Sequence, residues 1–243
     1  KKICDRILPL RKSDGGKDRL VFLGDYIDRH VDSHKVIDFL IELEKKYPSQ
    51  ITFLMGNHEL MLLQALNIQP GKNMTLQSMS HMYKMWMENG GRETIYGYKE
   101  RKGLSMDGWN EDLPRSKVID LFPKEHLEFF KRLDKFYEWQ DFIFVHGGCN
   151  PQEPLSGQEL EVLTWDRSLL KFVMNSLQSG KNVLPWEKTV VCGHSVQPNK
   201  MPVIRDKYMM LDSGSPGRLL VAEMNSRTAF MAYPDKDRLV KFP

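Results

Sequence analysis

Short apolar runs alternate with amphipathic segments along this chain, and the alternation predicts a single mixed α/β domain over residues 1–243. Apolar residues at three- and four-residue spacing predict helices, whereas short apolar runs that end at glycine predict buried strands. Helices are predicted at residues 33–47, 60–66, 74–88 and 124–133, and residues 1–10 resemble the end of another. Strands are predicted at residues 19–24, 51–55, 142–145, 189–192, 203–204, 208–211, 219–224 and 229–232.

Four of these strands end in a turn that carries side chains able to bind metal or phosphate. Ligands gather at the carboxyl ends of strands in α/β proteins, and glycines there allow sharp turns and close approach. We therefore expect the four turns to contribute to one site. They are Gly24-Asp25-Tyr26-Ile27-Asp28-Arg29, Gly56-Asn57-His58-Glu59, Val145-His146-Gly147-Gly148 and Gly193-His194-Ser195.

Four side chains in these turns form a set of metal-ligand candidates, namely Asp25, Asn57, His146 and His194. The carboxylate of Asp25 could bridge two cations, Asn57 offers an amide oxygen, and the histidines offer imidazole nitrogens. This mixture of oxygen and nitrogen suits Mn, Fe or Zn better than Ca or Mg. A pair of such ions, roughly 3.5–4 Å apart, can generate hydroxide and clamp a phosphoryl group.

The neighbouring residues could carry out acid catalysis and bind phosphate. His58 could protonate a leaving oxygen, Asp28 could orient His58 and raise its pKa, and Arg29 could bind phosphate oxygens. Each residue alone has a structural explanation, because a histidine after a strand or an aspartate in a turn is commonly structural. Four such turns in this order favour the functional interpretation.

Composition and charge narrow the class of protein. The chain has 41% hydrophobic and 28% charged residues and a net charge of +3, which indicates a globular protein and argues against nucleic-acid binding. Cys4, Cys149 and Cys192 include no CxxC pair, so a reducing compartment is expected. Neither a signal peptide nor an apolar run long enough for a membrane helix is visible. We expect a cytoplasmic monomer that binds no membrane.

The motifs resemble those of the calcineurin-like metallophosphoesterases, whose signature is GDxH, GDxxDR, GNHE or GNHD, VH and GH. The resemblance covers residues from about 19 to 215, and the pattern is similar to compact bacterial and phage Ser/Thr protein phosphatases. Three further matches support that branch: Glu88-Asn89-Gly90-Gly91, Leu163-Thr164-Trp165-Asp166-Arg167 and Leu211-Asp212-Ser213-Gly214.

This resemblance implies two mixed β-sheets stacked as a sandwich and flanked by helices. It also implies two divalent metal ions, with Mn expected and Fe or Zn as alternatives, and a metal-activated water as the nucleophile. Asp25 would bridge the metals, and Asn57, His146 and His194 would complete the second metal. The resemblance assigns acid catalysis to His58 with Asp28 beside it, and phosphate binding to Arg29, Asn57 and Arg167.

Two departures from the family pattern stand out. His30 replaces the glycine that usually follows GDxxDR, and it could lie near the phosphate or point to solvent. The GDxH motif, which supplies the first metal's ligands, is missing and would lie just upstream of Lys1. Either that segment precedes the printed chain or the chain lacks it, and we favour the first. The printed chain taken literally is therefore expected to be inactive or severely impaired.

The leading functional prediction is phosphomonoester hydrolysis, with phosphoserine or phosphothreonine in proteins as the expected substrate class. One alternative is a symmetrical dinucleoside tetraphosphate hydrolase, although that branch typically replaces Asp28. The other is a non-catalytic binding protein, should the upstream ligands be absent. Glu59 could either support the neighbouring ligands or act as a favourable acid at a helix start.

Overall fold

The computed structural model describes residues 18–68, 75–105, 115–180, 184–214, 218–233 and 236–242. They form two compact units. We call Gly24–Asp134 the helical unit, and the described residues before and after it the sheet unit. The expectation of a single domain stays a prediction. The predicted helix at residues 1–10 and Cys4 lie outside the described residues.

Helices and strands are assigned in chain order. The helices are α1 (Ser33–Lys46), α2 (Asn57–Leu66), α3 (Leu76–Trp86), α4 (Arg92–Arg101), α5 (Arg115–Ile119), α6 (Lys124–Lys131), α7 (Leu160–Trp165) and α8 (Ser168–Gln178). A kinked segment, Met87–Gly91, joins α3 to α4, and Gly90 within it is not helical. The strands are β1 (Leu20–Phe22), β2 (Ile51–Phe53), β3 (Tyr137–Trp139), β4 (Phe142–Phe144), β5 (Thr189–Cys192), β6 (Val203–Arg205), β7 (Tyr208–Met210), β8 (Leu219–Glu223), β9 (Thr228–Tyr233) and β10 (Lys236–Phe242).

The predicted elements within the described residues are confirmed, with ends that differ by a few residues. The predicted helix at residues 74–88 is α3 followed by the start of the kinked segment Met87–Gly91. Several elements that the sequence analysis did not assign are also present, among them β3, α4 and α8. The mixed α/β class is therefore confirmed.

Helix α2 forms the centre of the helical unit. All ten of its residues are buried, so the helix is enclosed on every side although Asn57, His58, Glu59 and Gln64 are polar. Large side chains from other helices are fully buried in the same unit, including Trp86, Ile95 and Phe129. The first turn of α2 is therefore held in a fixed place, which matters because Asn57 and His58 belong to it.

The sheet unit is built on five strands in the order β3-β4-β5-β7-β6. β4, β5 and β7 run parallel to one another. Of the two edge strands, β3 pairs antiparallel with β4, and β6 pairs antiparallel with β7. A separate sheet, β8-β9-β10, is antiparallel throughout its described pairs. The five-stranded sheet is thus mixed, as predicted. The three-stranded sheet is purely antiparallel in its described pairs, so it is not a mixed sheet. The stacking of two sheets as a sandwich stays a prediction.

The core of the sheet unit covers one face of the five-stranded sheet. Side chains from α8, such as Val173, pack in one cluster with four residues of the sheet, namely Val190, Cys192, Tyr208 and Met210. Burial raises the pKa of the Cys192 thiol to about 12, and that of the Cys149 thiol to the same value. Both thiols are therefore packing groups rather than nucleophiles. No helix in the described part of the chain has the length and apolarity that a membrane span requires.

A buried histidine joins three helices within the helical unit. The ring of His126, 2% exposed, shares hydrogen bonds with the Tyr98 hydroxyl through Nδ1 (2.7 Å) and with Asp38 Oδ1 through Nε2 (2.9 Å). Arg101 also pairs with Asp38. Burial lowers the pKa of His126, and its hydrogen bond to Asp38 offsets this only in part.

Replacing His126 with glutamine should flatten the dependence of stability on pH. Because the folded state holds this imidazole neutral, the wild-type protein should be most stable above its ordinary pKa of 6.5 and lose stability as the pH falls below it. Melting temperatures of both proteins between pH 8 and pH 5 provide the measurement. Parallel curves for the two proteins would show that His126 contributes nothing to the acid sensitivity.

Candidate functional site

A single buried carboxylate organises the turn that follows β1. Glu59 is fully buried, and its Oε2 accepts the backbone N–H groups of Asp25 (2.9 Å) and Gly56 (3.0 Å). Its Oε1 accepts those of Tyr26 (2.7 Å) and Ile27 (3.2 Å). Glu59 therefore both supports the turn and caps the start of α2, so the two interpretations left open by the sequence hold together.

Gly56 is required where this turn meets α2. A Cβ atom placed on Gly56 would lie 2.2 Å from Asp25 Oδ1 and 2.4 Å from its backbone nitrogen. The amide of His58 in turn lies 3.4 Å from Asp25 Oδ1. The sequence Gly56-Asn57-His58-Glu59 thus lets a helix start directly against the carboxylate of Asp25, and Asn57 is the first residue of that helix.

Three residues of the turn have left-handed backbone conformations, which are uncommon for residues with a side chain. The φ angles are 60° for Asp25, 75° for Asp28 and 60° for Arg29. Each costs on the order of 1–3 kcal/mol unless the surroundings fix it, and such residues cluster at functional sites. The strain therefore marks the same three side chains that the sequence analysis selected.

His58 and Asp28 form a buried pair. Nδ1 of His58 lies 2.7 Å from Oδ2 of Asp28, and the two side chains are 3% and 0% exposed. Because a carboxylate can only accept, Nδ1 carries the proton and Nε2 is left as the nitrogen that can exchange one with a substrate. The contact places Asp28 where it can orient His58, and the catalytic role of the pair stays a prediction.

Electrostatics favour the protonated form of His58. Burial opposes its charge, but the hydrogen bond to Asp28 and the negative charges of Asp25, Asp28 and Glu59 outweigh burial and raise the pKa of His58. A raised pKa keeps the imidazole protonated over a wider range of pH. That is the state required of a general acid.

In the sheet unit, the topology places His146 and His194 side by side. β4 and β5 are parallel neighbours, and each histidine follows one of them by two residues. The Gly193 N–H donates to the carbonyl of His146 (2.8 Å), and the two rings lie with centroids 5.1 Å apart. Parallel strands thus bring together two histidines that are 48 positions apart, as the sequence analysis expected.

The tautomer of His146 suits a metal ligand. Its Nδ1 lies 2.6 Å from the carbonyl oxygen of Leu23, so Nδ1 donates and Nε2 keeps its lone pair. Metal-binding histidines usually have such a partner on the other nitrogen. The His194 ring is packed edge-on against Trp165 at 5.8 Å. The donor set of this pair therefore fits a divalent metal.

The remaining predicted residues are placed as follows. Arg29 is exposed in the helical unit, and Arg167 is exposed in the sheet unit with Nη2 3.5 Å from the carbonyl oxygen of His194. His30 is also exposed, and its Nδ1 accepts the N–H of Asp32 at 3.2 Å, which favours the solvent-facing alternative. The structure thus gathers Asp25, Asp28, Arg29, Asn57 and His58 in one unit, and His146, His194 and Arg167 in the other.

Comparison with known proteins identifies the family. The family model described as calcineurin-like phosphoesterase matches residues 2–210. The chain belongs to this family. Among curated relatives of this phosphoesterase, serine/threonine-protein phosphatase SIT4 of Candida albicans is 45% identical over 47 residues, covering 19% of this chain and 15% of that protein. Serine/threonine-protein phosphatase sitA of Aspergillus fumigatus is 46% identical over 43 residues, covering 18% and 11%.

The family-model match confirms the predicted family. The segments aligned with the two relatives cover less than one sixth of either relative's length. Two solved structures are also similar to the phosphoesterase. A Saccharomyces cerevisiae serine/threonine phosphatase with similarity to human phosphatase PP5 has a TM-score of 0.48 at 14% identity, covering 99% of this chain and 74% of that chain. A Sphaerobacter thermophilus metallophosphoesterase has a TM-score of 0.38 at 15% identity, covering 93% and 77%.

Sequence reasoning missed three parts of the site. Trp86 and Thr94 both donate hydrogen bonds to Asp28, and the carbonyl of Leu23 fixes His146. Backbone carbonyls leave no signal in a sequence. Thr94 does lie three residues beyond Glu88-Asn89-Gly90-Gly91, so that motif was the available clue.

Proposed function

We propose that this phosphoesterase hydrolyses phosphomonoesters with the help of divalent metal ions, and that phosphoserine or phosphothreonine in proteins is its substrate class. The buried His58–Asp28 pair is the observation that carries the proposal, because a protonated imidazole is suited to an alkoxide leaving group. The partial matches to serine/threonine phosphatases support the same substrate class.

The proposed metal ligands are Asp25, Asn57, His146 and His194, as the motifs suggest. A carboxylate, an amide and two imidazoles suit Mn, Fe or Zn. When bound, the metals would polarise the phosphate and supply an activated water. Arg29, Asn57 and Arg167 would bind phosphate oxygens, and His58 would give its Nε2 proton to the oxygen that leaves.

The test begins with metal content, which does not depend on activity. Full-length protein is stripped with chelator, reloaded with Mn, and analysed for bound metal per chain. His146→Ala should lose bound metal, whereas His81→Ala, at an exposed position of α3, should not. Equal metal content in the two variants would contradict the proposed ligand set.

The same preparations decide the reaction and its substrate. Wild-type protein with Mn should release phosphate from a phosphoserine peptide and from p-nitrophenyl phosphate, and should do so far more slowly from diadenosine tetraphosphate. A preference for diadenosine tetraphosphate would replace the proposal with the dinucleotide alternative. Metal binding without hydrolysis of any of the three would favour a binding protein.

A further inference from the structure

The segment from Trp86 to Thr94 supplies two further hydrogen-bond donors to the Asp28 carboxylate. Trp86 Nε1 donates to both carboxylate oxygens of Asp28, at 3.0 Å to Oδ1 and 3.2 Å to Oδ2. The Thr94 hydroxyl donates to Oδ1 at 2.7 Å. Trp86 and Thr94 are both fully buried. The carboxylate therefore receives donors from two further side chains as well as from His58.

The same segment also binds the backbone of the strained turn. The Asp28 N–H donates to Thr94 Oγ1 at 2.9 Å, and the Arg29 N–H donates to the Gly90 carbonyl at 3.1 Å. The Thr94 hydroxyl thus donates to the Asp28 carboxylate and accepts from the Asp28 amide at once. These bonds hold two residues whose φ angles are left-handed.

Two adjacent glycines allow this close approach. Gly90 has a φ of +107°, and a Cβ atom there would lie 2.5 Å from the Arg29 backbone nitrogen. A Cβ atom on Gly91 would lie 2.7 Å from the Trp86 ring. The family motif at residues 88–91 is thus explained by contact with the turn and with the indole.

We propose that Trp86 and Thr94 are positioning residues that aim the Asp28 carboxylate at His58. This inference rests on the proposed function. Thr94 binds Oδ1 and Trp86 spans both carboxylate oxygens, so the carboxylate is held with Oδ2 at 2.7 Å from Nδ1 of His58. This contact fixes the direction in which the imidazole presents Nε2. In the reaction, the oxygen of water forms the new bond to phosphorus and one proton of that water passes to solvent. The ester P–O bond breaks, the Nε2 proton goes to the leaving oxygen, and a solvent proton restores Nε2.

The dependence on leaving group separates positioning from mere folding. Phenolate is a poor leaving group that needs a proton, whereas p-nitrophenolate leaves without one. Thr94→Val removes the hydroxyl but keeps the shape, and should lower kcat for phenyl phosphate about tenfold more than kcat for p-nitrophenyl phosphate. Thr94→Ser keeps the hydroxyl and should restore the wild-type ratio of the two rates. Trp86→Phe should shift the ratio in the same direction as Thr94→Val.

Each outcome supports or overturns the proposal. Circular dichroism and the melting temperature establish that each variant is folded, and Trp86→Phe provides an independent variant if Thr94→Val is not. Equal losses on both esters, or a serine variant that behaves like the valine variant, would overturn the positioning role while leaving the proposed function intact. A wild-type protein inactive on both esters with Mn would overturn both.

Discussion

Replacing His58 with alanine should lower kcat for a phosphoserine peptide by about 100- to 10,000-fold, the range that general acid catalysis contributes. The alkoxide of serine cannot leave without a proton, and Nε2 of His58 is the proposed donor. Bound metal per chain should remain close to that of the wild type, because His58 is not a proposed ligand. Steady-state kinetics and metal analysis on the same preparation provide the two measurements.

His81→Ala serves as the matched control, because that histidine lies on the exposed surface of α3. The loss on His58→Ala should be smaller for p-nitrophenyl phosphate, whose leaving group needs no proton. Full activity of His58→Ala on the peptide would refute the acid role. A loss that parallels a loss of metal would instead assign His58 to metal binding.

Replacing Glu59 with glutamine should lower the free energy of unfolding by about 3–5 kcal/mol. This is the cost of leaving buried N–H donors without the charged carboxylate that accepts their hydrogen bonds. The four N–H groups that Glu59 accepts come from two separate segments, the turn after β1 and the start of α2. A glutamine side chain has nearly the same shape, but its NH₂ group would replace one of the accepting oxygens. Its N–H donors would then face the N–H donors of the backbone. Denaturant unfolding of wild type and Glu59→Gln measures the difference.

Glu42→Gln is the control for this substitution, since Glu42 is an exposed residue of α1. Surface changes of this kind usually alter stability by less than about 0.5 kcal/mol. If the two glutamine variants unfolded at the same denaturant concentration, the carboxylate of Glu59 would contribute no more than a surface charge. Metal content of Glu59→Gln should also fall, because Asp25 depends on the same turn.

Much of the site could be predicted from short motifs, because its chemical groups lie directly after strands. The parallel pairing of β4 and β5 is what brings His146 and His194 together, and apolar runs before each histidine were enough to suggest it. Helix α1 was equally clear, with buried Ile37, Leu40 and Ile41 at helical spacing.

The parts that could not be predicted depend on contacts between distant residues. Thr94 reaches Asp28 across 66 positions, and neither residue type indicates such a partner. Strand β3 has a partly exposed pattern without strict alternation, so its pairing with β4 decides its structure. Helix α4 is polar overall, and burial of Ile95 and Tyr98 against other helices outweighs its weak pattern.

The turn from Asp25 to Arg29 has neither helical nor sheet hydrogen bonding, yet its five consecutive backbone amides all have acceptors. Three donate to Glu59, one to Thr94 and one to Gly90. Ordering a loop on binding usually reduces affinity, because conformational entropy is lost at that moment. Here the entropy is lost during folding, so the turn is preorganised. The phosphate and metal that we propose as its ligands would meet Asp25, Asp28 and Arg29 on a backbone that is already ordered.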